Sequence, residues 1–205
     1  MMAAKTSSAE SVELLLKNHA DPNLLSQKNE EQNALASALK TGNEKIISLL
    51  SSVTTQGMES CIKILAESNM AVGKEVEEIL QKLVKKGKKN LLLEEATIFG
   101  NGHMAKFMLN EAKLDWTKSV VKEALRNSIL SDNVDCCKIV KDYCEKIGVD
   151  TKTEELESLI VKRGRSKIAD LFNFENVEII SPKYKEMLDM LPKTRVYVEC
   201  RTCIF

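Results

Sequence analysis

"NALASALKTGNEKIISLL", residues 33–50, decides how this chain is to be read. Asn33 stands where a helix N-cap belongs, and Leu35, Ala38 and Leu39 then fall on one face of a short helix. Thr41-Gly42-Asn43 punctuates the run, because glycine enters the left-handed conformation that ends a helix. A second helix follows, with Ile47, Leu49 and Leu50 as its apolar positions. The stretch therefore predicts a helix, a tight turn and a second helix.

Thirty-five residues upstream the pattern recurs. "AAKTSSAESVELLL" (3–16) aligns with "ALKTGNEKIISLLS" (38–51), matching the Lys-Thr pair and the apolar positions Val12/Ile47, Leu14/Leu49 and Leu15/Leu50. The upstream copy runs on as "SVELLLKNHADPN" (11–23), a helix closed by a turn sequence. A unit that repeats at this period is the mark of a stacked architecture and takes precedence over any local reading.

Composition is consistent with such a chain. The 205 residues contain 30 Lys plus Arg and 30 Asp plus Glu, so no net charge directs the protein toward nucleic acid or an anionic membrane. Three prolines, eight glycines and abundant Leu, Ala, Lys and Glu predict a mostly helical chain with short connections. No run approaches the ~20 apolar residues of a membrane span, and "MMAAKTSSAE" has no apolar signal core. The six cysteines (61, 136, 137, 144, 200 and 203) are scattered, which favours reduced thiols. A soluble intracellular protein is the expectation, cytoplasmic with the nucleus open.

The two quoted pieces resemble the halves of an ankyrin repeat. Asn33-Ala34-Leu35-Ala36-Ser37-Ala38 occupies the place of that family's T-P-L-H-x-A pattern, Gly42-Asn43 its turn, and His19-Ala20-Asp21-Pro22-Asn23 its G-A-D-x-N loop. The Thr-Pro and histidine of the first pattern are absent, and His19 replaces the usual glycine. The resemblance is carried most strongly by residues 3–53, more weakly by 57–172, and not at all by 173–205. It implies an all-α helical repeat solenoid of stacked helix pairs that binds partner proteins through its loops and concave face, without catalysis and without a cofactor. A tetratricopeptide array has a similar period, but its Trp, Leu-Gly and Tyr positions are missing; an irregular helical bundle is the alternative.

Inter-helix turns placed at Gly42, Gly73, Gly102, Asp132 and Gly164 extend the register, at separations close to the ~33 residues of such units. Units are expected near 3–23, 33–53, 58–87, 92–116, 121–148 and 153–172. Ala36, Ala38, Ala96 and Ala124 let helices approach closely, while Leu49, Leu50, Ile79, Leu80, Met108 and Ile139 fill the space between layers. The first unit has at most "MMAAK" as its first helix, which predicts an end that exposes Val12, Leu15 or their neighbours, as in a fragment of a longer array or an end covered by something else. Residues 173–205 read as a capping helix, "SPKYKEMLDMLP" (181–192), and an irregular tail, "KTRVYVECRTCIF".

Candidates for chemistry are few. "GNGHMAK" (100–106) fits either an anion at a helix N-terminus or an ankyrin-type turn stabilised by His103; the turn accounts for it without a ligand. Cys200 and Cys203 have the spacing of half a zinc site or a redox pair, the basis of an alternative function as a metal- or redox-linked protein. Cys136 and Cys137 read as core. The basic cluster Lys82, Lys85, Lys86, Lys88 and Lys89 reads as a solvated helix end, with nuclear targeting or contact with acidic lipid or a partner as the other options. By register, loops project near 24–31, 87–91, 113–119 and 148–153. The candidate protein-binding residues are Gln27, Lys28, Asn29, Lys88, Lys89, Asp115 and Trp116, with Trp116 either an exposed anchor or a ring tucked between units.

Overall fold

The computed structural model describes residues 1–6, 8–26, 32–68 and 70–173. The helix expected at 181–192, the tail after it and the Cys200/Cys203 pair lie outside the described residues. Among those described, the regular structure is helical: α1 (Met2–Lys5), α2 (Ala9–Lys17), α3 (Ala34–Thr41), α4 (Glu44–Val53), α5 (Glu59–Ser68), α6 (Lys74–Lys85), α7 (Lys89–Ile98), α8 (Gly102–Lys106), α9 (Lys118–Leu130), α10 (Val134–Lys146), α11 (Glu154–Arg163) and α12 (Ser166–Phe172). Helix α8 runs on as a π-helical turn, Phe107–Glu111. One antiparallel bridge, Ser26 to Gln32, closes the base of the loop after α2. The all-α expectation holds.

Helix ends follow local chemistry. Asn33 caps α3 as expected, its side chain accepting from the Ala36 N–H at 2.8 Å. Between paired helices the chain turns through a left-handed residue followed by an asparagine cap. Gly42-Asn43, Gly100-Asn101 and Asp132-Asn133 open α4, α8 and α10 in this way. Gly164, 32 residues beyond Asp132, makes the same reversal before α12 with Arg165 in the asparagine position. This corrects the register in two places. Gly100 makes the turn, whereas Gly102 is already the first residue of α8; Gly73 is an extended cap before α6.

The helices pack in two rows. Odd-numbered helices contact one another in order from α1 to α11, and even-numbered helices contact in two runs, α2–α4–α6 and α8–α10–α12. Hairpin partners also pack together, except that α6 leans on α7 more than on α5. Small residues sit where the rows meet: Ala36, Ala38 and Ala96 are fully buried and Ala124 nearly so. Leu50, Ile79, Leu80 and Met108 are buried among them, with Leu49 and Ile139 at the edge. Burial of one such side chain contributes about 1.5–3 kcal/mol, far more than a surface ion pair.

Polar side chains join successive pairs. Asn23 Oδ1 accepts from the Thr55 and Gln56 N–H groups at 2.8 and 2.9 Å, and Asn101 Nδ2 donates to the Leu65 carbonyl at 2.9 Å. The expectation for the N-terminal end is met in part. Helix α1 is a single turn, yet it lies with α2 so that Val12 is 5 % exposed; Met2, Leu14 and Leu15 are exposed instead.

Candidate protein-binding surface

Three of the seven candidate residues converge. Lys89 opens α7, and its Nζ donates to the Asp115 carbonyl at 2.9 Å while lying 5.4 Å from the centre of the Trp116 ring. Trp116 is half-buried against the core, and its indole N–H donates to the Met108 carbonyl at 3.2 Å. The ring is therefore neither a free anchor nor fully enclosed. One side is fixed by a hydrogen bond, the other carries a cation. Asp115 itself is exposed, and Lys88 pairs with Glu59 at 3.6 Å.

The π-turn explains why Met108 has a carbonyl to offer. In an α-helix that oxygen would accept from the N–H of Ala112; here the Ala112 N–H reaches one residue further, to Phe107, at 2.9 Å. The wider turn also brings Phe107, Met108 and Leu109, three in succession, into the core. Three consecutive buried apolar residues are the one signal of this in the sequence. It was not legible as a π-turn because buried runs also suit ordinary helix segments.

Gln27, Lys28 and Asn29 lie outside the described residues. The residues before them present Leu24 and Leu25 to solvent, and Asn23 bonds to the loop after α4.

The basic cluster differs from a solvated helix end. Lys82 Nζ donates to the Ser51 carbonyl and Lys86 Nζ to the Thr55 carbonyl, both on the preceding pair. These lysines complete the C-terminal end of α4, where carbonyls lack intrahelical partners. Lys85 alone in the cluster faces solvent without such a role.

The remaining chemical candidates resolve into structure. At "GNGHMAK" the Asn101 side chain occupies the Met104 N–H at 2.9 Å, and a Cβ on Gly100 would stand 2.7 Å from that of Asn133. The turn is thus closed by its own cap and by the next turn stacked on it. His103 is exposed on α8, and Gly100 and Asn101 do the work expected of it. Cys61, Cys136, Cys137 and Cys144 are free thiols in the core; burial pushes Cys61, Cys136 and Cys144 up to about 12 and Cys137 up to about 11. Among the described residues no group of three His, Cys, Asp or Glu side chains is placed to hold a metal, and no helix is long and apolar enough to cross a membrane.

No protein-family model matches the chain, and no curated protein sequence matches it either.

Proposed function

We propose that this chain is a non-catalytic protein-interaction module, a degenerate ankyrin-like array whose loops form the binding surface. The observation that carries this reading is the recurrence of one turn, a left-handed residue followed by a capping asparagine, between helices that pack mainly on their nearest neighbours. The Lys89–Trp116 pair, with Asp115 and Lys88 beside it, supplies the aromatic and charged groups that dominate protein interfaces. Gln27, Lys28 and Asn29, outside the described residues, enter the proposal on sequence register alone.

The test is affinity purification of partners with the full chain, followed by titration of each purified partner against Lys88→Glu/Lys89→Glu and Trp116→Ala chains. Loss of affinity by about tenfold or more with unchanged circular dichroism supports the loop surface. Unchanged affinity in both variants removes it.

A further inference from the structure

A second surface lies at the N-terminal end of the stack. Helix α4 has an even-numbered neighbour on each side, α2 and α6, whereas α2 packs chiefly on α1 and α4. The difference shows at equivalent positions of the repeat. Leu50 is 2 % exposed and Leu49 packs at the edge of the core, but Leu15 and Leu14, their counterparts one unit earlier, are 47 % and 62 % exposed. The exposed positions in the middle of α4, α6 and α10 are polar instead, Ser48, Glu78, Gln81 and Lys138 among them.

The residues around Leu14 form a pattern that matches its own reverse. Positions three and four away share a helix face, and around Leu14 these are Glu10, Ser11, Lys17 and Asn18, all exposed. Glu10 and Lys17 fall on one flank of Leu14, Ser11 and Asn18 on the other. Ser11 and Asn18 are tied into their own helix: Ser8 Oγ donates to Ser11 Oγ at 2.8 Å, and Asn18 Nδ2 donates to the Leu14 carbonyl at 2.7 Å. Glu13, turned toward α4, pairs with Lys45 at 3.8 Å. For Glu10 and Lys17, among the described residues, neither charged group has an ion-pair or hydrogen-bond partner. Separated by about 10 Å along the helix, they are too far apart to pair with each other.

Two copies of this face complete one another. If α2 packs antiparallel on a second α2 with Leu14 at the two-fold axis, the residue four before Leu14 comes opposite the residue three after it in the other copy. Each Glu10 then meets a Lys17 on the same flank, the two leucines cover each other, and the helix dipoles oppose. Equal numbers of basic and acidic residues leave no net charge to hold the copies apart. We propose that the chain forms a two-fold homodimer through the outer face of α2, with Leu14 at its centre and two Glu10–Lys17 pairs beside it. An interface built on one short helix from each copy is small, so the dimer is weak and reversible. It is separate from the loop surface and does not depend on it.

The test is the oligomeric state of the full chain, by sedimentation equilibrium from about 10 to 500 µM, a range that covers weak contacts. The mass is expected to rise with concentration from that of one chain toward that of two. Leu14→Glu sets carboxylates against each other at the two-fold axis and is expected to weaken association by about tenfold or more. Glu10→Lys and Lys17→Glu each turn both pairs into like charges and are each expected to weaken it by about fivefold, less at high salt. The double variant Glu10→Lys/Lys17→Glu restores opposite charges and is expected to return to within about twofold of the unaltered chain. An equimolar mixture of the two single variants is expected to associate more tightly than either alone. Lys88→Glu/Lys89→Glu is expected to change nothing, which separates this face from the loop surface. The proposal is overturned if the chain stays monomeric throughout that range, if Leu14→Glu leaves association within about twofold, or if the double variant is no tighter than the single ones. Leu14, Glu10 and Lys17 are all exposed, so circular dichroism is expected to be unchanged in every variant.

Discussion

Asn101, like Asn33, combines a helix cap with two bonds to carbonyls far away in the chain. It is 1 % exposed, accepts from the Met104 N–H, and donates to the carbonyls of Leu65 and Ala66 at the end of α5. Asn101→Ala removes the α8 cap and leaves buried carbonyls without their donor, and is expected to cost about 2–3 kcal/mol by urea unfolding. The glycine before it makes a controlled comparison with Gly42. Both are left-handed, at φ 69 and 68, but a Cβ at Gly42 would meet nothing within 4 Å, whereas at Gly100 it would meet Asn133 and Ser131. Gly42→Ala is therefore expected to cost about 1 kcal/mol, the conformational penalty alone, and Gly100→Ala clearly more. The same reasoning reverses at His19, an exposed non-glycine residue at φ 59 that ends α2. His19→Gly is expected to stabilise the chain by about 1 kcal/mol in the same assay. The asparagine cap at Asn33 was legible because its partner is three residues away. The bonds from Asn101 to α5 were not, since they span 36 and 35 residues.

At the scale of one element, α8 and its π-turn show how an irregularity becomes a fixture. The turn frees the Met108 carbonyl, the Trp116 indole takes it, and the loop carrying Asp115 is held under Lys89. Trp116→Phe keeps an aromatic ring but removes the N–H. It is expected to cost about 1–2 kcal/mol in stability, and hydrogen exchange should quicken over residues 113–117 before the rest of the chain. Unchanged exchange there would mean that ring packing alone orders the loop. The basic end of α6 is the contrasting case. "QKLVKKGKKN" reads locally as a solvated helix terminus, and only the approach of the preceding pair gives Lys82 and Lys86 their carbonyls.

For the whole molecule, the buried thiols link folding to alkaline pH. In the native state they hold their protons up to about pH 11–12, whereas in the unfolded chain a thiol titrates near 8.5. Below about pH 8 both states are protonated and stability does not depend on these groups. Above it the unfolded chain releases protons that the native one keeps, so stability falls with rising pH, by up to about 1.4 kcal/mol per pH unit for each thiol. Urea midpoints are expected to drop between pH 8 and 10, and Cys144→Ala should flatten that slope. The same burial predicts that the native chain at pH 7.5 resists alkylation at Cys61, Cys136, Cys137 and Cys144, while the urea-unfolded chain reacts at all four.

Helices, caps and most turns of this protein are decided within a few residues of chain, by apolar spacing, by asparagine at helix starts and by residues that tolerate positive φ. That is why "NALASALKTGNEKIISLL" discloses a helix pair unaided. What the sequence left open depends on which elements meet. The position of the turn at Gly100 rather than Gly102, the half-buried setting of Trp116, and the engagement of Lys82 and Lys86 are set by contacts between residues far apart in the chain. Local chemistry limits where a helix begins and ends, but only packing determines which carbonyl, ring or gap stands opposite a given side chain.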